Sequence, residues 1–551
     1  MKISPHPLGT LIETDVLVIG SGASGCGAAL GAREQGLDVV LLDKGKLESS
    51  GCIGGGNDHY MAVLNEKGSK FDTAEDLVKF YAKPLNGWTP AMITNGWYNH
   101  MEHMLKRLEK CGVDFSKNSD GTYKRTQGFG QPGTWWVHIA NGMTIKRVMA
   151  RIVRDSGVHV LDRIMAMKIL SDSGKACGAL GWNVVTGEYV ILRAKTVVSA
   201  QGRSATRGYN NSTHNPYNVW MYPYNTGAGV VLGYDAGAAV TELDTYQRAT
   251  MEPKGYGCPG MNGINSSGAH EISAVGERFM FKYDPMGENG VRNNQIQGTY
   301  QEQLEGNGPP FYMDMRHVDP EIVHELQYIL MPGDKATWKE YSEQKGVDLY
   351  NKLMEVEIGD LALEGMVIRD ENFESSIPGL FVGTGFHAFS GAMCGGYAAG
   401  RHAAEKAAKV SSVPAVSEEE AEQERVRVLA PLHSDGGTHY QQFESAIRQV
   451  MDYYMGYVRN ERGMLQAMDS LARIEALKGD LVADNWHELM RTHEALTLLE
   501  MCKLATLASI EHRETSPSTI YMRSDYPDPD PALNRLMVTE KVDGKPHIFW
   551  Q

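Results

Sequence analysis

The chain has 551 residues, too many for one ordinary core, so two or three domains are expected. Its composition, 42% apolar and 22% charged, is that of a globular protein, and a net charge of −15 excludes a nucleic-acid binder, which needs a basic face. No apolar run reaches the roughly 20 residues that span a bilayer, and the seven cysteines never adopt a C-x-x-C spacing, which argues against disulfide scaffolds, bound metal and iron–sulfur ligation by this chain. The opening MKISPHPLGTLIETDVLVIG reads as a strand rather than a signal peptide, so the cytoplasm is the expected compartment.

Residues 15–43 form the first glycine corner. An apolar strand (Val16–Ile19) enters Gly20-Ser-Gly22-Ala23-Ser24-Gly25, an alanine-rich helix follows, and a second strand ends at Asp43. Gly20 makes the tight turn, Gly22 lets backbone approach a pyrophosphate, and Gly25 lets the helix pack on the strand. The helix N-terminus supplies amide donors, and Asp43 can accept from both hydroxyls of an adenosine ribose. The spacing predicts a dinucleotide site. The loop KGKLESSGCIGGG (44–56) adds Lys44, Ser50, Gly51, Cys52, Gly55 and Gly56 to the expected lining, and His59 follows in GGGNDHYM.

Further on, aromatics gather in NGWTPAMITNGWYNH (86–100), Trp135-Trp136, YNVWMYPYN (217–225), Tyr246 and Tyr256, interrupted by Gly, Pro and Asn. Core packing is one reading; a loop-lined pocket for a flat or bulky substrate is the other. His138 lies in GTWWVHIANG. A buried strand in AKTVVSAQGRSA ends at Ala200-Gln-Gly202, where backbone returns over the nucleotide. A third return, GTGFHAFSGAMCGGYAAGR (383–401), brings Gly385, His387, Cys394 and Gly395. Here Gly395 and Gly396 are expected to lead a helix whose N-terminus faces the flavin ring and stabilises negative charge there. Cys394 is read as a small residue demanded by close packing. Three strand–glycine returns favour FAD over NAD. Past residue 410 come a linker, a helical stretch over 440–511 and an apolar HIFW ending that should dock.

The N-terminal corner, NTGAGVVLGYDAGA (225–238), GERFM (276–280), VRNNQIQGTYQEQLEGNGPPFYMD (291–314) and HRETSPSTIYMRSDYP (512–527) resemble, in that order, the fumarate reductase/succinate dehydrogenase flavoprotein superfamily. RNNQ (292–295) and KGYGCPG (254–260) look most like its adenylylsulfate reductase alpha-subunit branch. The resemblance implies an α/β fold: a Rossmann-like FAD-binding domain (1–220 and 356–410) interrupted by an α+β capping domain (221–355), then a helical domain with a C-terminal tail (411–551). It also implies an iron–sulfur or other electron-transfer partner subunit, and leaves room for a homo-oligomer.

Departures from that family shape the functional expectation. Ser49 and Ser50 stand where covalent members carry a flavin-linking histidine, so FAD should be non-covalent. The cationic clamp for a dicarboxylate is replaced by Ala249 or Thr250, by GDLALEGM and by SGAMCGG, which speaks against fumarate or succinate. Met251 stands where the sulfur branch carries a substrate-binding arginine. Arg292 aligns with the family's proton-donating arginine; pairing with Glu277 or Asp284 is the rival reading. His387, His138 and His59 are further candidates for contact with substrate. The expected activity is hydride transfer between FAD and a polarised organic substrate, with a sulfur-nucleotide reductase component or an electron-carrying component as alternatives.

Overall fold

The computed structural model describes residues 1–66, 69–219, 221–247, 251–257, 262–359, 361–516 and 519–551. Ala249, Thr250 and the last three residues of KGYGCPG lie outside these. The central sheet is built from β1 (Gly9–Ile19), β2 (Val39–Asp43), β3 (His159–Asp162), β4 (Ile164–Asp172), β5 (Lys175–Asn183), β6 (Tyr189–Ser199) and the short β7 (Leu380–Val382). Its order is β3-β2-β1-β6-β5-β4. β3, β2, β1 and β6 run parallel, and β7 joins parallel to the end of β6, with Val197 opposite Leu380. β5 and β4 turn back antiparallel.

The C-terminal part of β1, Val16–Ile19, is apolar on both faces because both are covered. Val16 and Val18 pack towards helices α1 (Ala23–Arg33) and α2 (Ala388–Ala407). Leu17 and Ile19 pack, through a second cluster, with α3 (Tyr440–Tyr454), α4 (Glu461–Glu475) and α5 (Trp486–Glu511). The cap has a core of its own, drawn from Met251 to Val356, under a four-stranded antiparallel sheet of Met251–Pro253, Met354–Ile358, Phe311–Asp314 and His270–Ile272. Val230 and Val231, inside the segment expected to belong to the cap, instead pack with the central sheet.

The C-terminal tail beyond the helices is a hairpin: Met537–Val542 and Lys545–Trp550 pair antiparallel and extend a small sheet containing Val240–Thr241 and Met366–Val367. The apolar ending thus docks as a strand, its backbone donors and acceptors paired across the hairpin. One expectation is corrected: α2 begins at Ala388, seven residues before Gly395, so Gly395 and Gly396 lie inside it and do not lead it.

Gly396 there serves a contact between helices, whereas Gly395 faces the Phe386 ring. A Cβ on Gly396 would sit 2.0 Å from the Ser24 carbonyl oxygen and one on Gly400 2.0 Å from that of Ala28. Across the contact, a Cβ on Gly27 would meet Met393 O at 2.1 Å and one on Gly31 Tyr397 O at 2.2 Å. The i, i+4 spacing on each helix places both glycines of a pair on one face.

His512, at the C-terminal end of α5, is buried between two carboxylates. Its Nδ1 pairs with Asp244, its Nε2 lies 2.9 Å from Glu514 Oε1, and Trp550 of the hairpin packs edge-on 5.3 Å away. Burial lowers its pKa, but the two carboxylates outweigh that and raise it to about 9.

Gly396→Ala is expected to destabilise the fold by about 1–3 kcal/mol or more and to shed cofactor, read by thermal melting and bound-flavin absorbance. Gly437→Ala, with nothing within 4 Å of its added methyl, is the control, and an unchanged melt for Gly396→Ala would refute the helix contact. For His512, a folded pKa raised above the unfolded value gives stability that is complete below about pH 6.5 and lost as pH rises through about 9. The loss should approach about 3 kcal/mol and should be missing from His512→Asn; parallel stability–pH curves for the two proteins would exclude it.

Candidate active site

One cleft of about 540 Å³ runs along the C-terminal ends of β1, β2 and β6 and under the cap. Its nucleotide end is made by three glycine turns. Gly20 has φ +97°, and a Cβ there would lie 2.6 Å from the Ala200 carbonyl oxygen; Gly51, at φ +82°, faces Gly22, whose Cα would be 2.7 Å from a Cβ on Gly51. These positions need glycine for conformation and for space. Ser24 Oγ is buried in the first turn of α1, lines the cleft and has no hydrogen-bond partner among the described residues. A buried hydroxyl at a helix N-terminus, facing a glycine cradle, fits a pyrophosphate oxygen. Gln201 Oε1, also buried, unpartnered and lining the cleft, fits a ligand hydroxyl. The residues present therefore suit a dinucleotide.

Asp43 faces this end of the cleft. Ser21 donates from its backbone N–H (2.7 Å) and its Oγ (2.9 Å) to Oδ2, while Gly45 N–H (2.7 Å) and Ser50 Oγ (2.8 Å) reach Oδ1. The expected ribose acceptor thus also ties the first glycine loop to the loop after β2. Below them Lys146, almost fully buried, donates to the Ser21 carbonyl. It sits on the strongly amphipathic helix Ile145–Asp155, where sequence alone gave a core face and no reason to single it out. Lys44 Nζ donates to Tyr224 O and to Glu494 Oε1, both at 2.6 Å.

Of the expected cofactor residues, Gly20, Gly22, Ala23, Ser24, Asp43, Lys44, Gly51, Cys52, Ala200, Gly202 and Gly385 line the cleft. Six do not. Gly25 packs where a Cβ would strike Gly20 O at 1.7 Å, and Ser50 turns to Asp43 and the Lys46 carbonyl. Gly55 is exposed, with Lys335 Nζ 3.9 Å from a Cβ placed on it, and Gly56 packs on the Gly333 carbonyl of the cap. Cys394 is buried with its Sγ 3.6 Å from Tyr60 Oη, and Gly395 backs Phe386.

The other end of the cleft is aromatic, lined by Phe80, Tyr81, Phe129, Trp136, Phe386 and Phe389. Trp88, Trp97 and Trp135, expected as pocket candidates, are buried core instead. His59 lines the cleft, stacked at 4.0 Å on Trp136, with its Nδ1 2.5 Å from Asp58 Oδ1. His138 does not reach it. Its Nδ1 is 2.9 Å from Glu325 of the cap and its Nε2 3.2 Å from Thr126, which makes it a strut between body and cap. Hydrogen bonding from His138, aided by Lys124, holds the Glu325 carboxyl down at about 2. Met251 is buried in the core of the cap.

Arg292, the first residue of the helix Arg292–Leu304, lines the cleft with its guanidinium 4.5 Å from the Phe129 ring centroid. Of its rival partners, Glu277 pairs with Lys282, and Asp284 accepts from Met286 N, Val291 N and Asn294 Nδ2. Arg203, which sequence did not single out, lines the same end. It donates to Gly385 O (2.7 Å) and Glu242 (2.8 Å) and lies 3.2 Å from Glu364. Burial and the neighbouring Glu364 lift Glu242 to about 7 against the opposing pull of Arg203. His387, at the N-cap of α2, is pushed down to about 3 by burial and then by Arg203 and Arg292, so it is a neutral imidazole at ordinary pH. Ala388, the next residue, holds a left-handed φ of 61°, strain of the kind that collects at functional sites.

A family model described as an FAD binding domain matches residues 15–403. The chain belongs to this FAD-binding family. Its relatives include a CoM/CoB-type fumarate reductase component of Methanothermobacter marburgensis, 25% identical and spanning 97% of this chain and 98% of the relative. The L-aspartate oxidase of Streptomyces coelicolor is 24% identical over 98% of this chain and 93% of its own. Among solved structures, the adenylylsulfate reductase of Archaeoglobus fulgidus aligns with a TM-score of 0.85 at 21% identity, covering 98% of this chain and 95% of that one. The quinol fumarate reductase of E. coli aligns at 0.80 and 19%, covering 98% and 97%. The fold is that of these flavoproteins, and the protein is an FAD-binding oxidoreductase whose relatives include fumarate reductase, succinate dehydrogenase and L-aspartate oxidase flavoproteins. Among the described residues, no helix is long and apolar enough to cross a membrane.

Asp43→Ala is expected to raise the FAD dissociation constant about ten- to a hundredfold, the loss of a charge-assisted acceptor of about 1.5–3 kcal/mol. Ser50→Ala, which removes one of the four donors, should cost less. Equal dissociation constants for wild type and Asp43→Ala, measured by flavin fluorescence, would take Asp43 out of the site.

Proposed function

We propose that this protein adds or removes a hydride and a proton across a carbon–carbon double bond conjugated to a carbonyl, on a planar or bulky substrate that is not a simple dicarboxylate. Bound FAD supplies the two-electron hydride chemistry. The observation that carries the reading is the lining of the aromatic end: Arg203 is committed to Glu242 and Glu364, and most of the remaining surface there, Phe129 beside Arg292 included, is aromatic rings. Two carboxylates on a substrate would need cations to clamp them; rings need flat apolar faces, which this end offers.

Arg292 takes the role of proton donor in this reading. The carbon β to the carbonyl accepts the hydride, Arg292 presents an N–H proton at the α carbon, and the saturated ketone leaves. His387 suits the other task. Held neutral, it donates a ring N–H to the substrate carbonyl and withdraws charge without delivering a proton. Cofactor attachment is non-covalent: Ser50 is committed to Asp43, and Ser49 is exposed with its carbonyl against Gly54. An electron-transfer partner and a cytoplasmic location remain parts of this proposal, the partner on family grounds.

Acid precipitation should leave the flavin in the supernatant. Arg292→Ala should then keep FAD and its reduction by an artificial donor, while reoxidation by an enone slows about 10²–10⁴-fold; lysine should restore little, lacking the planar fork. Normal reoxidation in a protein with a lowered melting temperature would make Arg292 structural.

A further inference from the structure

The cap closes the aromatic end with a short segment, Met331–Asp334 followed by Lys335, that touches the loop at Gly56. Asp334 is 3% exposed and lines the cleft, and its Oδ2 has no hydrogen-bond partner among the described residues. The neighbouring charges do not satisfy it. Lys335 Nζ stands 4.0 Å from the other oxygen, too far for a hydrogen bond, and itself lines the cleft. The nearby acid, Asp58, spends Oδ1 on His59. A buried carboxylate oxygen without a donor is costly unless a ligand supplies one.

We infer that Asp334 and Lys335 recognise a hydroxyl group on the substrate, so that the class taken is a hydroxylated planar enone, such as one that carries a phenol ring. The pair selects by charge. A substrate ammonium that met Asp334 would be repelled by Lys335, and a substrate carboxylate that met Lys335 would be repelled by Asp334. A neutral hydroxyl answers both, donating to Asp334 Oδ2 and accepting from Lys335 Nζ. Burial lifts the Asp334 carboxyl to about 6, with Lys335 opposing and Asp58 assisting, so above that pH it is an acceptor. Sites built around a hydrogen bond discriminate against analogues that lack it, because the buried partner is then left unpaired. This inference rests on the aromatic end being the substrate site.

The test uses the FAD-loaded protein and two probe pairs. Binding of 4-hydroxyacetophenone and acetophenone is followed by the flavin visible spectrum and by quenching of tryptophan, since Trp136 lines the cleft. Reoxidation of the reduced protein is followed with 4-(4-hydroxyphenyl)but-3-en-2-one and 4-phenylbut-3-en-2-one. Wild type should prefer the phenol about tenfold, Asp334→Leu should bring the two affinities together, and Asp334→Asn should cut the preference about threefold. Asp334→Asn carries the test if the leucine variant fails to fold. Equal affinity of wild type for both members, or a preference that survives both substitutions, overturns the inference. Loss of FAD from Asp334→Asn also overturns it, by assigning the carboxylate to the cofactor. Binding and reduction of both probes without preference defeats the hydroxyl site alone; no binding and no reoxidation by any probe defeats the substrate site with it.

Discussion

Two helices that meet backbone to backbone hold this site together. α1 and α2 come from segments more than 350 residues apart, yet Gly27 and Gly31 of one and Gly396 and Gly400 of the other leave no room for a methyl between them. Because the axes are so close, the first turns of both helices open onto the same cleft, one at Ala23 and Ser24, the other at His387 and Ala388. One end suits phosphate-like charge and the other presents a neutral histidine, and the spacing between them is set by glycine. Any larger residue would spread the helices and move two parts of the site at once.

A second constraint is electrostatic. Glu494 of α5 is fully buried and is met by Lys44 of the cofactor loop, by Arg207 and by Arg491; Arg207 in turn pairs with Glu444 of α3. The neighbouring cations hold Glu494 down at about 2 despite its burial. Such a network adds little net stability compared with apolar packing, but breaking one member leaves a buried charge uncompensated. It fixes the helical region against the nucleotide end in one register. His512 does the same at the other end of α5, joining the turn before Tyr246 to the C-terminal hairpin.

The aromatic end works by exclusion. Burial and two arginines keep His387 uncharged, Arg203 is spent on two glutamates, and much of the remaining lining is rings. In such surroundings each remaining polar atom counts for more than it would in solvent. That is why the proposed roles rest on the placement of Arg292 and on the Asp334 oxygen that lacks a partner among the described residues.

The sequence alone determined the nucleotide end. Strand, glycines, helix and terminal acid are local in the chain, and their spacing has one physical use, so Gly20, Gly22, Ser24 and Asp43 were legible without a structure. The ring end was legible in part: Arg292 and His387 stood out by motif, and the cluster of aromatics by composition. Tertiary structure decided the rest, because it depended on which segments meet. Gly395 and Gly396 read as a helix start, and Gly396 proved to be a helix contact and Gly395 the backing of Phe386, since a glycine's own sequence does not reveal what lies opposite it. His138 went to a cap strut because Glu325, 187 residues away, arrives beside it. Arg203, Lys146 and Asp334 carried no local pattern at all; each is one polar residue in an ordinary segment, and only burial beside a cleft gives it a role.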